Sequence, residues 1–413
     1  MRKMKPSSME WIGDIPLSWK VMPNKYLMHK KKEICPAYNG EDILSLTMKG
    51  VIVRDLDAGG KMPASFDGYQ RLEPGNILMC LFDIDVTPRC IGLIKQAGLS
   101  SPAYSQFVLS DSANAAYYCY YYTMLDNDKT LLHLAKNLRH SLTEDQLGAI
   151  PVIVPPTDEQ HRIANFLDTK CAEIDALTAD IQTQIDTLEQ YKRSIITETV
   201  TKGLNSNAEM KDSGIQWIGN MPAHWDVIRG KYILRYMQKP VHEDDGVITC
   251  FRDGEVTLRS NRREDGFTMS DKEIGYQGID VGDLVVHGMD GFAGSIGISD
   301  SRGKASPVLN VLDTDQCKRY IMYYLRSMAY SDVFLALATG IRVRSCDLRW
   351  NKLAELSYPV PPLNEQNAIV KHIDSVLSKA DAVIADKKAQ LAILDEYKKS
   401  LIFEYVTGKK EIV

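Results

Sequence analysis

The spacing of hydrophobic residues divides the chain into four segments of two alternating kinds. In residues 1–156, short apolar runs such as Ile77–Leu81 and Ile91–Ile94 are broken by Gly, Pro and Asp, which predicts strands. A helical pattern at Glu144–Ile150 closes this segment. Residues 206–362 repeat the same plan. We therefore expect two similar domains, each mixing α and β structure.

The two remaining segments, 157–205 and 363–413, are each predicted to be one long helix. Thr157-Asp158-Glu159 has the polar cap and acidic first turn of a helix start, and neither Gly nor Pro follows before Gly203. A helix of this length measures about 65 Å, more than one neighbouring domain can cover. Apolar residues recur every seven positions in both segments, which is typical of helices that supercoil on each other.

These spacings predict an antiparallel coiled coil, because the intervening domain must turn the chain back. The alternative is that each helix packs only on its own domain. The predicted seam between the two helices consists of Leu167, Ile174, Ile181, Ile185, Leu188, Ile195, Ile373, Leu377, Ile384, Leu391, Leu394 and Leu401.

Three motifs occur twice, each time 206 residues apart. Trp-Ile-Gly-x-x-Pro-x-x-Trp begins at Trp11 and Trp217, and Pro-Pro-x-x-Glu-Gln begins at Pro155 and Pro361. Tyr-Lys-x-Ser-x-Ile begins at Tyr191 and recurs at the same offset. A repeat of this length is a duplicated domain, not a solenoid unit. A pseudo-symmetric chain suits a pseudo-symmetric target, of which DNA is the commonest.

Composition restricts the function classes without selecting one. The 413 residues are 44% hydrophobic and 25% charged, enough for buried cores, and the net charge of −5 does not exclude a local basic surface. We expect no membrane span, since no apolar run reaches about 18 residues. The eight cysteines are scattered without a Cys-x-x-Cys pair, which indicates free thiols and a cytoplasmic protein, with no metal site.

No recognised catalytic motif is complete. Val154-Pro155-Pro156-Thr157 lacks the amide and aromatic residues of an amino-methyltransferase loop, so these prolines are predicted to end a strand and start the long helix. The glycines spaced through 288–297 lead into an apolar run and not a helix, which indicates a turn between strands. Residues 297–305 are too long for a phosphate-binding loop and end in Ala. We expect no covalent chemistry from this chain.

Recognition chemistry is better represented. Cationic and amide side chains cluster in corresponding loops of both domains, where they can neutralise phosphates or pair with base edges. For any single residue the alternative is a solvated surface charge. The candidate DNA-binding residues are Lys49, Arg54, Lys61, Arg89, Lys95, Tyr104, Gln106, Arg139, His140, Arg252, Arg259, Asn261, Arg262, Arg263, Arg302, Lys304, Arg342 and Arg344. The tyrosines between Tyr117 and Tyr122 could stack on bases, but their setting favours core positions.

Together the paired motifs resemble the specificity (S) subunits of type I restriction–modification systems. Gly75-Asn76-Ile77 and Gly282-Asp283-Leu284 add to the similarity, which extends over essentially the whole chain. The resemblance implies two α/β target recognition domains (1–156 and 206–362) joined by a central helix (157–205) and a C-terminal helix (363–413). The family has no fixed base-contacting motif, so the DNA-binding candidates rest on residue chemistry alone.

The resemblance also implies a division of labour. Each domain would read one half of a bipartite, asymmetric site in double-stranded DNA, and the helix pair would set the unread spacer. Two modification (M) subunits would bind S-adenosylmethionine and methylate adenine, and restriction (R) subunits, with ATP and Mg²⁺, could join them. A phage-defence system that methylates DNA without a restriction partner remains open from the sequence. This chain itself would bind no cofactor and catalyse no reaction. The isolated chain is expected to bind DNA weakly.

Two other functions remain open from the residues. The chain could be a DNA methyltransferase with an unrecognised site, in which case it would bind S-adenosylmethionine by itself. It could instead be a protein-assembly scaffold without DNA specificity, in which case it would give no sequence-selective footprint even with modification subunits present.

Overall fold

The computed structural model describes residues 2–58, 63–134, 140–262, 273–337 and 348–412. The chain forms two compact units. The first contains Met1–Ile181 and Lys388–Val413, and the second contains Gln182–Lys387. Each unit therefore combines one globular domain with part of each long helix.

The first unit is built on a four-stranded antiparallel sheet in the order β4-β11-β8-β9. Outside this sheet, β1 pairs with β2, β3 with β12, β5 with β6 and β7 with β10. The strands are β1 (Met4–Pro6), β2 (Asp14–Pro16), β3 (Lys20–Pro23), β4 (Met28–Lys31), β5 (Leu44–Thr47), β6 (Gly50–Val53), β7 (Gln70–Leu72), β8 (Ile77–Met79), β9 (Ile91–Leu93), β10 (Gly98–Ser100), β11 (Ser105–Leu109) and β12 (Pro151–Val154). The helices are α1 (Ala115–Asn127), α2 (Thr130–Leu134) and α3 (Glu144–Ala149).

After the long helix α4 (Thr157–Lys202), the second unit repeats this topology strand for strand. Its sheet has the order β16-β23-β20-β21, and every other pairing also recurs twelve strands later. The strands are β13 (Met210–Asp212), β14 (Asn220–Pro222), β15 (Asp226–Arg229), β16 (Arg235–Met237), β17 (Ile248–Cys250), β18 (Val256–Leu258), β19 (Gln277–Ile279), β20 (Leu284–His287), β21 (Ile296–Ile298), β22 (Gly303–Ala305), β23 (Leu309–Asp313) and β24 (Ser357–Val360). The helices are α5 (Lys318–Tyr330), α6 (Val333–Ala336), α7 (Trp350–Glu355) and the second long helix, α8 (Leu363–Val406).

The Trp-Ile-Gly motif forms a tight turn that seals each core. Gly13 and Gly219 have φ values of +70° and +65°, which favour glycine, and their N–H groups bind the carbonyls of Met9 and Ile215. The second tryptophan of the motif, Trp19 in the first unit, is completely buried, as is its counterpart in the second. The repeated motif is thus explained by folding.

The glycines in 288–297 form the predicted turn between strands. This segment connects β20 to β21, and Gly294 has a φ of +97°. Its N–H binds the carbonyl of Gly291, which closes a short 3-10 turn. The expectation of a turn, and not a cofactor loop opening a helix, is confirmed.

The long helices contain 46 and 44 residues, and they pack on each other within both units. In the first unit the Phe166 and Tyr405 rings lie 4.4 Å apart, and Lys398 Nζ binds Asp175 Oδ1 at 2.6 Å. In the second unit Lys192 Nζ binds Asp381 Oδ1 at 2.6 Å. In the first unit higher numbers on α4 meet lower numbers on α8, so the helices run antiparallel as predicted.

Burial divides the predicted seam. The buried members are Leu167, Ile174, Ile181, Ile185, Ile373, Ile384 and Leu401, whereas Leu188, Ile195, Leu377, Leu391 and Leu394 are half-buried. Near the end of α4 the buried apolar positions are Ile196 and Val200. In a helix with 3.6 residues per turn, positions seven residues apart rotate by about 20° around the helix axis. Residues chosen strictly at every seventh position therefore move off the buried face.

Candidate nucleic-acid interface

Two lysines of the first unit line an open cleft of about 690 Å³. Lys49 lies in the turn between β5 and β6, and Lys95 follows β9. Both side chains are exposed, and neither makes an ion pair within the described residues. Other walls of the cleft come from α1, α4 and α8. These two predicted residues are brought together with their charges uncompensated.

Arg89 has a structural role in the same unit. Its Nη1 lies 3.3 Å from the buried carboxylate of Asp126 and 2.8 Å from Asn127 Oδ1. Lys129 Nζ binds the other oxygen of Asp126 at 2.9 Å. A buried carboxylate needs such compensation, because burying an unpaired charge is costly. Arg89 is therefore largely committed to the fold.

Gln106 is a correction to the predicted DNA-binding set. It is completely buried, and its Oε1 accepts from the Glu73 N–H at 2.8 Å and from Asn76 Nδ2 at 3.2 Å. Its Nε2 donates to the Arg71 carbonyl at 3.0 Å. A buried amide must satisfy both its donor and its acceptor inside the protein. Gln106 thus supports the sheet and does not offer its amide to DNA.

Three further candidates of the first unit, Tyr104, His140 and Arg54, make contacts with residues other than Lys49 and Lys95. Tyr104 is half-buried and stacks on Phe82 at 6.1 Å, and burial raises its pKa. His140 Nδ1 lies 2.9 Å from Asp85 Oδ2, and this hydrogen bond lowers the pKa of Asp85. Arg54 lies just after β6, where its N–H binds the carbonyl of Ile43.

The arginine cluster of the second unit gathers around the β17–β18 hairpin. Arg262 lies 4.1 Å from the centre of the Phe251 ring and pairs with Asp253 at 2.7 Å and Glu255 at 2.8 Å. Arg252 pairs with Asp290 at 3.2 Å but stays 63% exposed. The hairpin thus carries cations and carboxylates together.

The side chains of the two remaining members of this cluster bond to threonines of the same hairpin. Arg259 Nε donates to Thr249 Oγ1 at 3.0 Å, and Asn261 Nδ2 donates to Thr257 Oγ1 at 2.9 Å. The structure thus places the four described members of the predicted cluster at one hairpin. The predicted residues Lys61, Arg139, Arg263, Arg342 and Arg344 lie outside the described residues.

Arg302 and Lys304 belong to an ion-pair network. Arg302 binds Asp245 through Nε and Nη2 at 3.0 and 2.8 Å, and its Nη1 lies 2.6 Å from Asp280 Oδ1. The hydrogen bonds from Arg302 lower the pKa of Asp245 to about 2. Lys304 Nζ pairs with Glu273 at 2.7 Å. A structural role for Arg302 explains these contacts better than phosphate binding.

The tyrosine run of α1 is core, as the sequence favoured. Tyr117, Tyr118, Tyr121 and Tyr122 are completely buried. Tyr117 donates its hydroxyl proton to the Val406 carbonyl near the end of α8, at 2.7 Å. These rings cannot stack on bases from their present positions.

The glutamines of the two Pro-Pro-x-x-Glu-Gln motifs connect each long helix to its domain, a role that sequence reasoning missed. Gln160 Oε1 accepts from the Asn114 N–H at 2.8 Å, and its Nε2 donates to the Pro155 carbonyl at 2.9 Å. Gln366 makes the same two bonds to Cys317 and Pro361, both at 2.9 Å. Exact recurrence of the motif was the available signal.

Tyrosine–aspartate bonds recur in the same way. Tyr120 donates to Asp168 at 2.8 Å in the first unit, and Tyr323 donates to Asp374 at 2.6 Å in the second. Burial raises the pKa of Tyr323 to about 12, so this hydroxyl keeps its proton at neutral pH. The two carboxylates are 206 residues apart, as are the repeated motifs.

The described residues contain no group of three or more His, Cys, Asp and Glu side chains arranged to hold a metal ion. Within the same part of the chain, every helix is too short or too polar to cross a membrane.

Comparisons with known proteins identify the relatives of this chain. Residues 98–187 match the family model for the type I restriction modification DNA specificity domain. Two curated proteins of Methanocaldococcus jannaschii are each 24% identical: the "Putative type I restriction enzyme MjaX specificity subunit" over 281 residues and the "Type I restriction enzyme MjaVIII specificity subunit" over 277. The matches cover 65% and 63% of this chain. The chain spans 61% and 62% of the length of these relatives.

A solved chain supports the fold. It was determined in work on the structural basis underlying complex assembly and conformational transition of the type I R-M system. The TM-score is 0.65 at 13% identity, with 95% of this chain and 98% of the solved chain covered. The resemblance inferred from the repeated motifs is confirmed: this chain is similar to the specificity subunits of type I restriction–modification systems.

Proposed function

We propose that this chain is the non-catalytic DNA-sequence recognition subunit of a type I restriction–modification complex. Each α/β domain would read one half of a bipartite site. One observation carries the proposal: the two domains share strand pairing and motif contacts, but their candidate loops present different side chains. The turn between β5 and β6 carries Lys49, whereas the corresponding turn between β17 and β18 carries Arg252 and Asp253. Lys95 lies two residues after β9, whereas Asp300 lies two residues after the corresponding strand β21. A common framework with different loops suits two different half-sites.

We propose that the long helices set the spacer between half-sites and provide the docking surface for two modification subunits. S-adenosylmethionine, ATP and Mg²⁺ would bind to the modification and restriction partners in the cytoplasm. Support comes from four large apolar side chains that the long helices expose: Leu177, Val383, Ile393 and Tyr397. Exposed apolar residues on a long helix are suited to protein contacts.

The decisive experiment maps methylated adenines in a host genome that expresses this chain with its modification subunits. We expect one bipartite motif with a fixed gap. Deleting the gene for this chain should abolish methylation at that motif. Substituting the loops of residues 251–262 should change one half-site and leave the other intact. Methylation that persisted without this chain would refute the proposal.

A second measurement separates the enzyme alternative. Calorimetric titration of the purified chain with S-adenosylmethionine should give no binding. Saturable binding would favour a methyltransferase. A complex with modification subunits that lacked a sequence-selective footprint would favour a scaffold.

A further inference from the structure

An open cleft of about 790 Å³ lies within the second unit, on the side of the domain that faces the long helices. Its walls come from α5, α4, α8 and the tip of the β17–β18 hairpin. Arg193 of α4 and Arg326 of α5 both line it, together with Tyr330. The cleft is therefore built jointly by a domain and by the helices.

Two guanidinium groups share one aromatic ring in this cleft. The Cζ atoms of Arg193 and Arg326 lie 5.3 and 5.6 Å from the centre of the Tyr330 ring. Arg326 is held further by bonds from Nε to the Tyr330 hydroxyl at 2.8 Å and from Nη2 to the Asp253 carbonyl at 2.6 Å. Stacked, planar guanidinium groups are suited to binding phosphate oxygens.

Neither arginine is neutralised within the described residues. Other cations of the cleft are paired: Lys192 binds Asp381 and Glu189, and Arg319 binds Asp374. Arg193 makes no side-chain hydrogen bond to a described residue, and Nη1 of Arg326 makes none either.

The carboxylates of the cleft are mostly compensated as well. Asp253 pairs with Arg262, and Glu189 and Asp381 share Lys192. Asp332 is the lining carboxylate that forms no ion pair with a described residue. The lining of the cleft holds five cations (Lys192, Arg193, Arg252, Arg319 and Arg326) and four carboxylates (Glu189, Asp253, Asp332 and Asp381). This small positive excess makes the cleft attractive to an anion.

The corresponding cleft of the first unit also carries uncompensated positive charge, but different residues supply it. It is bounded by α1, the β5–β6 turn, α4 and α8, and its uncompensated cations are Lys49 and Lys95. Lys399 occupies the repeat position of Arg193 but pairs with Asp395 at 2.7 Å and Glu396 at 2.8 Å. The location of the positive charge is thus shared by the repeats, whereas its residues are not.

We propose that each cleft binds a phosphodiester of the DNA backbone, so that the long-helix side of each unit contributes sequence-independent grip. This inference rests on the proposed function. Both clefts are open, as a DNA strand that passes through them would require. A site for a small phosphate ion would instead direct several donors to one point. Contacts of this kind position a protein on a duplex without reading bases.

The test compares Arg193→Gln with Lys170→Gln. Both substitutions remove one cation from α4, but Lys170 lies outside both clefts and pairs with Glu173 at 2.8 Å. The full chain, assembled with its modification subunits, is titrated with a duplex carrying its methylated motif and with an unrelated duplex, over a series of salt concentrations. R193Q should weaken both complexes equally and reduce the slope of log K against log salt by about 1.

Lys170→Gln should leave that slope unchanged. The double variant Lys49→Gln/Lys95→Gln should reduce the slope by about 2. An R193Q slope equal to that of the unsubstituted complex, with an unchanged thermal melt, would overturn the inference. Loss of pyrophosphate binding in R193Q without any change in the DNA slope would also overturn it, since it would indicate a site for small anions. An unsubstituted complex without preference for the motif would instead count against the proposed function.

Discussion

Gln160 and Gln366, the last residues of the two Pro-Pro-x-x-Glu-Gln motifs, connect each long helix to its domain. Each glutamine is almost completely buried, and each bonds to a backbone N–H that begins a helix and to the second-last carbonyl before its own helix. A buried amide that loses these partners leaves main-chain groups unsatisfied. The residues that recur most exactly in this chain therefore hold domain to helix.

Gln160→Ala should lower the free energy of unfolding by about 2 kcal/mol, because the Asn114 N–H and the Pro155 carbonyl lose their partner. Gln366→Ala should act similarly in the second unit. Urea titration followed by circular dichroism measures both. The control is Gln182→Ala on the exposed face of α4, where a single bond to Asp186 is lost. An equal effect at Gln182 would contradict this role.

The Arg302–Asp245 pair should make stability depend on pH. The folded-state pKa of Asp245 is lowered to about 2, below its ordinary value of 3.8, by hydrogen bonds from Arg302. Its stabilising contribution is thus present above about pH 4 and is lost as the pH falls towards 2. Arg302→Gln should cost about 2 kcal/mol at pH 7 and much less near pH 2.

Urea midpoints of the unsubstituted and R302Q proteins at several pH values check this expectation. Arg229→Gln is a suitable control, because Arg229 and its partner Glu355 are both more than half exposed and contribute little. A cost of R302Q that did not change with pH would contradict the linkage.

At the scale of elements, each unit brings together one part of α4 and one part of α8 in antiparallel contact. Lys192 pairs with Asp381, and Lys398 pairs with Asp175. Each member of one pair is the repeat of a member of the other, 206 residues away. The helix contacts therefore repeat with the domains, as expected if domain and helix were duplicated together.

Substitutions of two adjacent isoleucines test which of them lies on the buried face of α4. Ile196→Ala should cost about 3 kcal/mol, because Ile196 is 2% exposed and packs in the core of the second unit. Ile195→Ala should cost less than half of that, because Ile195 is half-buried. Urea unfolding measures both losses of stability. A larger loss for Ile195→Ala than for Ile196→Ala would support the strict heptad seam instead.

At the scale of the whole molecule, the proposed spacer role predicts the effect of helix length. Inserting one heptad after Gln182 of α4 and the matching heptad in α8 should change the gap of the methylated motif and preserve both half-sites. Under the proposed function the base contacts would come from loops that the insertion does not touch, whereas each helix grows by about 10 Å. Methylome sequencing reads both quantities at once.

A matched control inserts seven residues in the exposed linker at residues 204–208, which leaves the helices unchanged. Altered half-site preference in the heptad variant, with the gap retained, would show that the helices do not set the spacer.

Much of the fold was predictable because its signals are local or repeated. The helix start at Thr157, the break at Gly203 and the strands around Ile77 and Ile91 follow from spacing, capping and turn residues within a few positions of each other. Duplication was visible because motifs recur at one offset. Which cations stay free was not predictable, because it depends on partners far away in the chain.

Arg302 and Asp245 are 57 residues apart, and Gln106 and Asn76 are 30 apart. Nothing near these side chains in the sequence distinguishes a committed arginine from an available one such as Arg193. Short-range periodicity and copied motifs were enough for elements, repeat and family. Long-range packing assigned each charge either to a buried partner or to open solvent, because the energetic cost of a buried charge depends on its three-dimensional neighbours.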